Sequence, residues 1–465
     1  MKKDKKEYIK LFCAGFLSIL ASAPIYFMVV MFFSISYLYY KISHAKDFQH
    51  AFKKAMIFGF GYYLANTYWI CFSLFEDLRF IFLLPIAITI IPFYFATFLA
   101  LCMGFWKFIY SKIPNHAMQI FAFAVLWVIH EKLRATMIFP FPWWPIGMTV
   151  SNIDAWIQPL SIISINFFSF FIVLLYLVPI LAMQKMLKWQ KILSFIFIFS
   201  IHGLFLGYGY INLKNSKTPE FPFNIGILQT NFTQYEKFSD VEESLYKHHN
   251  LTIEIMKNAK KLANNKPNLI VWPETSIPYP VSKSGIFSIS EKSYLDAISN
   301  ELSPKDRLIF GAIGLNEDET YTNAAFLFSN KGIENVYDKI NLVPFGEYVP
   351  LIPFKIGILP SFTKGKIQSV WNIEGKNIIP LICYEILFDK HVKKLHPDLI
   401  INISNDGWFG NSIGPYQHLA HARISAIKNG VPVIRVANTG ISAIIDKNGR
   451  IFSQIDKRKE GTLVK

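Results

Sequence analysis

Charge is scarce in this sequence. Asp, Glu, Lys and Arg make up 17% of its 465 residues, against about 25% in an ordinary soluble globular protein. Acids are rarest before residue 212, where seven (Asp4, Glu7, Asp47, Glu76, Asp77, Glu131, Asp154) stand against 17 Lys and Arg. The remainder carries 30 basic against 25 acidic residues, so most of the formal +15 charge sits on the apolar part. An excess placed there describes the flanks of membrane spans rather than a nucleic-acid surface. No basic stripe, zinc-finger spacing or aromatic RNA-binding signature is present, and nucleic acid is excluded as a partner. Cysteine is equally sparse: Cys13, Cys71, Cys102 and Cys383, with no CxxC pair. That excludes a disulfide framework and a structural zinc site. The first three lie in apolar runs, where cysteine acts as a small buried hydrophobe. Cys383 is the only thiol of the polar part, and is either inert core or a nucleophile.

Hydrophobic residues, by contrast, reach 52% and aromatics 16%. A crossing of the hydrocarbon core needs about 20 apolar residues. Seven segments meet this with soft ends: 8–23, 25–40, 51–73, 80–105, 117–133, 158–183 and 192–211. The first two abut at Pro24, which calls for a tight turn or re-entrant hairpin. Lysines cluster before the first span and after the second, fourth and sixth, whereas the alternate loops hold only Arg79, Lys132 and Arg134. Fourteen positive charges against three put the N-terminus in the cytoplasm by the positive-inside rule. Seven crossings then carry everything after residue 211 to the outer face. Residues 1–23 also fit a cleaved signal peptide, but Pro24 directly after the cut site and the parity of the lysines argue against cleavage. Between spans five and six lie Glu131-Lys132-Leu133-Arg134 and Phe139-Pro-Phe141-Pro-Trp143-Trp144-Pro145. This run reads as an interfacial aromatic belt or as a floor that positions a lipid through Phe141 and Trp143.

After about residue 220 the pattern changes to short β-rich runs at 224–229, 268–272, 307–314, 324–329, 378–383, 399–403 and 432–437, with helical stretches at 240–264, 290–301 and 416–429. Residues 220–465 therefore predict one layered α/β domain, following a transmembrane domain over 1–211. Three runs end in reactive groups: Trp272-Pro-Glu274; Asp338-Lys339 before Leu342-Val-Pro-Phe-Gly-Glu347; and Ile382-Cys383-Tyr384-Glu385. Charged groups beside buried runs are costly unless paired or used. An acid, an amine and a thiol form a working set: Glu274 takes the thiol proton, the thiolate of Cys383 attacks a carbonyl, and the Lys339 ammonium stabilises the oxyanion.

WPET at 272–275, DKINLVPFGEYVP at 338–350, CYE at 383–385, SNDGWFG at 404–410 and VIRVANTGISA at 433–443 resemble the nitrilase superfamily. With the seven preceding spans, the chain is similar to its membrane branch, the apolipoprotein N-acyltransferases. The resemblance implies an α-β-β-α sandwich outside a bacterial inner (plasma) membrane, hence periplasmic, with a Glu274–Lys339–Cys383 triad and neither metal nor cofactor. It implies a phospholipid acyl donor, a thioester on Cys383, and transfer to the α-amino group of a diacylglyceryl-prolipoprotein. Glu347 matches an additional family acid and Glu385 a further family position, and the backbone N–H of Tyr384 is a candidate oxyanion donor. The apolar segment 351–362 is expected to be a lid that dips into the membrane. Phe238 stands where the family often has Trp, a candidate substrate contact with altered packing. Lys428 stands where the family usually has Glu, which puts an ion pair in doubt. Many members add an eighth span after this domain, and no such span follows here. A membrane-anchored amidase, in which water resolves the acyl-enzyme, is the rival enzyme reading. A catalytically dead lipoprotein-binding scaffold is the non-enzyme one. Seven spans and an apolar lid speak against the amidase, and an intact triad against the scaffold.

Overall fold

The computed structural model describes residues 2–216, 220–262, 264–283, 289–348 and 361–465. Segment 351–362, the expected lid, lies outside the described residues except for its last two. The chain divides into two compact units, one of residues 1–216 with 409–420, the other of 217–408 with 421–465.

The first unit is helical: α1 (Lys2–Phe16), α2 (Val29–Ser43), α3 (Phe48–Thr67), α4 (Leu84–Tyr110), α5 (His116–Thr136), α6 (Asp154–Ile157), α7 (Ile165–Tyr176), α8 (Val178–Met183) and α9 (Lys188–Lys214). Polar caps set three of the starts. Asp47 accepts from the His50 N–H, Asn115 from those of Ala117 and Met118, and Ser164 from that of Phe167, satisfying amides that have no partner in the first turn. Helix α1 crosses α3 closely. A Cβ on Gly15 would fall 2.0 Å from the Phe58 carbonyl oxygen, and one on Gly61 2.3 Å from that of Phe12. Small residues at such a crossing let two backbones touch, the device by which helices associate where no hydrophobic effect drives them.

Among the described residues two helical stretches, 78–110 and Lys188–Lys214, are long and apolar enough to cross a membrane; α2 and α7 are shorter apolar helices. Segment 158–183, read from the sequence as one crossing, is divided among short helices. Pro179 lies at the start of α8, and without an N–H it cannot continue the ladder of α7. Helix α9 leaves Leu193, Ile196, Phe197, Phe199, Leu204 and Ile211 exposed, an apolar surface larger than a water-facing helix sustains. The later segment 409–420 packs within this unit. Gln417 Oε1 accepts the indole N–H groups of Trp143 at 2.7 Å and Trp69 at 3.1 Å, and the Phe409 ring meets Trp69 edge-on at 4.6 Å.

The second unit contains two sheets. The first runs β13-β1-β2-β4-β5-β6, with β3 also on β4; the second runs β12-β11-β10-β9-β8-β7. The strands are β1 (Asn224–Gln229), β2 (Asn268–Val271), β3 (Ile277–Ser282), β4 (Arg307–Leu315), β5 (Tyr321–Ser329), β6 (Gly332–Asp338), β7 (Trp371–Ile373), β8 (Lys376–Ile382), β9 (Leu399–Ser404), β10 (Val433–Ala437), β11 (Ser442–Ile445), β12 (Ile451–Ile455) and β13 (Gly461–Val464). The helices are α10 (Gln234–Ser239), α11 (Val241–Lys260), α12 (Ile289–Glu301) and α13 (Gly414–Asn429), the last entering this unit at His421. Parallel pairing joins β1, β2 and β4, and likewise β8, β9 and β10. Strands covered on both faces read as unbroken apolar runs, which is why Ile378–Ile382 and Leu399–Ile403 stand out in the sequence. Leu251 and Ile255 of α11 and Leu295 and Ile298 of α12 pack on Ile270, Leu308, Phe310 and Phe326 of the first sheet. Strands β1 and β5 touch β10 and β8 of the second sheet. Arg423 of α13 donates to the Gly449 carbonyl in the β11–β12 turn at 2.7 Å. The layers run helix, sheet, sheet, helix.

Candidate active site

The reactive groups of this second unit all sit where strands stop. Strand β2 ends at Val271, and Trp272-Pro273 then carries the chain to Glu274. Trp272 is buried, with its indole N–H on the Thr252 hydroxyl at 3.0 Å. The turn lies flat on β4 because position 311 is glycine: a Cβ there would fall 2.7 Å from Glu274 Cα and from Thr275 N. Lys339 follows β6, and its own N–H donates to the Asn323 carbonyl at 2.8 Å. Cys383 follows β8 with φ +54°. The left-handed region is unfavourable for a residue with a Cβ and persists only where its surroundings hold it. Glu385 does part of that holding. It accepts the N–H of Ile382 at 2.9 Å, those of Ile340 and Asn341 at 2.7 and 2.9 Å, and the Tyr337 hydroxyl at 2.9 Å. One carboxylate thereby ties the residue before the thiol to the residues just after the amine.

Around Lys339 the groups close into a ring. Its Nζ lies 2.9 Å from Glu347 Oε1 and 3.3 Å from Glu274 Oε1. Asn323 Nδ2 donates to the same two oxygens, 2.7 Å each. Two buried carboxylates facing each other repel unless something positive lies between them, and here an ammonium and an amide NH₂ both do. The glutamates differ in their second oxygens. Glu347 Oε2 accepts the Val343 N–H at 2.7 Å, whereas Glu274 Oε2 is buried with no hydrogen-bond partner among the described residues. Of the two, Glu274 has the oxygen that no donor among the described residues occupies, and so the more basic and accessible position for a proton.

The electrostatics separate the amine from the thiol. Burial alone would pull the Lys339 amine down, but Glu274 and Glu347 outweigh it and hold it well above the ordinary lysine range. It is an ammonium at any physiological pH. Burial, reinforced by Glu274, pushes the Cys383 thiol up to about 12, although Lys339 opposes this. The resting sulfur is therefore protonated and needs a base in contact to become a nucleophile.

The sequence-derived candidates do not all converge. Glu274, Lys339, Cys383, Glu347 and Glu385 come together in the second unit, with Tyr384 next to the thiol. Phe238 lies on α10 of the same unit with its ring half exposed. Phe141 and Trp143 belong to the first unit, stacked on each other at 5.6 Å, with Trp143 buried. Asn323 escaped the sequence reading, since a lone Asn in an apolar strand carries no local signal. The buried amine of Lys237, 3.5 Å from the Glu274 carbonyl oxygen, escaped because its short helix, Gln-Tyr-Glu-Lys-Phe-Ser, reads as a solvated polar segment. Among the described residues no group of three or more His, Cys, Asp or Glu is arranged to hold a metal ion.

Residues 225–465 match the carbon-nitrogen hydrolase family, and residues 14–178 match the apolipoprotein N-acyltransferase N-terminal domain. An apolipoprotein N-acyltransferase of Allorhizobium ampelinum is 32% identical over 478 residues, covering 96% of this chain and 87% of that one. One from Rickettsia bellii is 32% identical over 465 residues, covering 97% and 89%. Among solved structures, Saccharomyces cerevisiae Nit3, a member of branch 10 of the nitrilase superfamily, aligns with 53% of this chain and 92% of its own at 16% identity and a TM-score of 0.42.

Proposed function

Because the chain belongs to the apolipoprotein N-acyltransferase family, we propose that it acylates the α-amino group of an S-diacylglyceryl-cysteine using a phospholipid donor, with Cys383 as the intermediate acyl carrier. The observation that carries the mechanism is the asymmetry of the two glutamates, one bound at both oxygens and the other with an oxygen open. Glu274 Oε2 accepts the thiol proton, and the Cys383 thiolate adds to the ester carbonyl of the phospholipid. The oxyanion is met by the Lys339 ammonium and the Tyr384 N–H. Collapse expels the glycerol oxygen, which takes the proton from Glu274, leaving a thioester and a lysophospholipid. In the second half, the neutral amine of the acceptor adds to the thioester and gives its proton to Glu274. Thiolate leaves and recovers that proton. A thioester suits this cycle because a thiolate leaves the tetrahedral intermediate more readily than the newly attached amine does.

Both substrates carry acyl chains, so the site works beside a bilayer. The bare apolar surface of α9 and the 14-to-3 bias of positive charge support seven crossings, a cytoplasmic N-terminus and an outward catalytic domain in a bacterial plasma membrane. Phe238, half exposed in the catalytic domain, is the proposed contact there for the lipid.

The test is a pulse of phospholipid on the purified protein in detergent, followed by mass spectrometry of the Cys383 peptide and a chase with a diacylglyceryl-cysteine peptide. An acyl thioester that moves to the peptide amine is expected. Acyl release to water alone would make the protein a hydrolase. Asn323 gives a finer check. Asn323→Ala removes a donor from both glutamates, and a hydrogen bond to a charged group contributes roughly 1.5–3 kcal/mol. Thioester formation in a single turnover is expected to slow by about 10- to 100-fold, and an unchanged rate would assign Asn323 to packing alone.

A further inference from the structure

One buried amine of the catalytic unit has no carboxylate bound to it among the described residues. Lys237 lies on α10 with its side chain wholly buried. Among the described residues its one hydrogen bond is to the backbone carbonyl oxygen of Glu274, at 3.5 Å. Taking an ammonium out of water costs free energy that a single long bond to a neutral acceptor returns only in part. An apolar side chain of similar length would fill the same space without that cost. A lysine kept there calls for a use beyond packing.

The carbonyl it holds belongs to the base, at the head of a turn whose next residue, Thr275, takes φ +52°. A β-branched residue in the left-handed region is an outlier and stays there only where its surroundings hold it. On one side β4 lies against this backbone at Gly311, whose carbonyl accepts the Ser276 hydroxyl at 3.0 Å. From α10, Lys237 grips the turn at the Glu274 carbonyl. Charge points the same way. Glu274 and Glu347 share the single ammonium of Lys339, so these three groups carry one negative charge in excess. The geometry points to Lys237 as a positioning residue: its ammonium fixes the backbone of Glu274, and with it the carboxylate that serves the thiol, and balances the excess negative charge. This rests on the reading of Glu274 as the base for Cys383. No bond to Lys237 forms or breaks, and it keeps its proton through the cycle. Burial pulls the Lys237 amine down to about 8, against the field of Glu274, so its charge is present below that pH and lost as the pH rises through it. On α11, which packs against α10, the group that senses the amine is His248; burial pushes its imidazole down to about 3, and it stays neutral. Lys247 of the same helix is paired with Glu460 at 2.6 Å.

The test is single-turnover acylation of Cys383 by phospholipid across neutral and alkaline pH, in the unaltered protein and in Lys237→Met, which keeps the apolar stem and drops the charge. In the unaltered protein the rate should fall as the pH rises through about 8. At neutral pH Lys237→Met should form the thioester about 10- to 100-fold more slowly. It should reach half its maximal rate at the same phospholipid concentration, and show no fall in rate at the alkaline end. It should also unfold at the same temperature as the unaltered protein or higher, because a buried charge without a bound counterion has gone. A rate in the unaltered protein that passes through that pH unchanged overturns the inference, and so does a variant as fast as the unaltered protein at neutral pH. A slow variant that unfolds at a lower temperature would make Lys237 a packing residue, and a change confined to the phospholipid concentration would place it in lipid binding. Failure of the unaltered protein to acylate Cys383, or unimpaired acylation in Glu274→Gln, would instead strike the underlying reading of nucleophile and base.

Discussion

Cys383→Ala is expected to abolish the acyl adduct and to cut transfer to a diacylglyceryl peptide by about 10⁵-fold or more, as removal of a covalent nucleophile does. Folding should survive, because the thiol contributes little volume to a site held by other groups. The backbone turn at Cys383 is fixed by Glu385 on the Ile382 N–H and by Asn402 on the Cys383 carbonyl, neither of which uses the sulfur. Cys383→Ser separates the two half-reactions. A serine oxygen is a weaker nucleophile at neutral pH, so acylation should be slow. Any oxygen ester that does form should resist the amine, because an alkoxide leaves less readily than a thiolate. Mass spectrometry of that variant after a long pulse should therefore find acyl groups on the introduced hydroxyl that the chase does not remove. Turnover in the serine variant close to that of the native protein would show that the sulfur is not the acyl carrier.

Lys339→Met has the second-largest expected effect, and it reaches stability as well as rate. The ammonium is buried between Glu274 and Glu347, and taking one partner from a buried ionic group typically costs about 3–5 kcal/mol. Without it only Asn323 separates two carboxylates that share its NH₂ group. A fall in thermal stability measured by fluorescence in detergent is expected, together with a loss of about 10²–10³ in the acylation rate from the missing oxyanion donor. Lys339→Met combined with Glu347→Gln removes one of the two charges and should recover much of the stability without recovering activity. Recovery of both would place Lys339 in a purely structural role.

The parts of this molecule that show in its sequence are those where chemistry interrupts a pattern. Glu274 and Cys383 each terminate an apolar run, where a charge or thiol is conspicuous, whereas Lys339 follows the mixed run Gly332–Asp338 and shows only through the motif that continues to Glu347. Parallel strands such as Ile378–Ile382 are equally plain because both faces are covered. Strand β3 is hidden for an opposite reason. Ile277-Pro-Tyr-Pro-Val-Ser282 carries two prolines that read as a turn, and such a strand is tolerated where it pairs with only one neighbour, here β4. Strands β7 and β13, of three and four residues, are too short to show alternation. Asn323 and Asn402 are small polar residues inside largely apolar strands. Their roles come from partners 49 and 19 positions away, and no local periodicity encodes such distances. The helical unit shows the reverse imbalance: composition reports its apolar character at once, while the subdivision near Pro179 depends on one missing N–H.

The placement of 409–420 among the helices of the first unit bears on how the protein can be dissected. A fragment ending at Ser216 would leave out Gln417 and Phe409, taking from the Trp143 indole N–H the acceptor it has at 2.7 Å and from Trp69 its edge-on neighbour. A fragment beginning at residue 220 would keep that segment but lack the two tryptophans. Cutting the gene at the obvious composition boundary therefore yields two incomplete pieces, each missing part of a single cluster. Reconstitution from such pieces should require both to be made together, with 409–420 acting as the complementing strand of polypeptide.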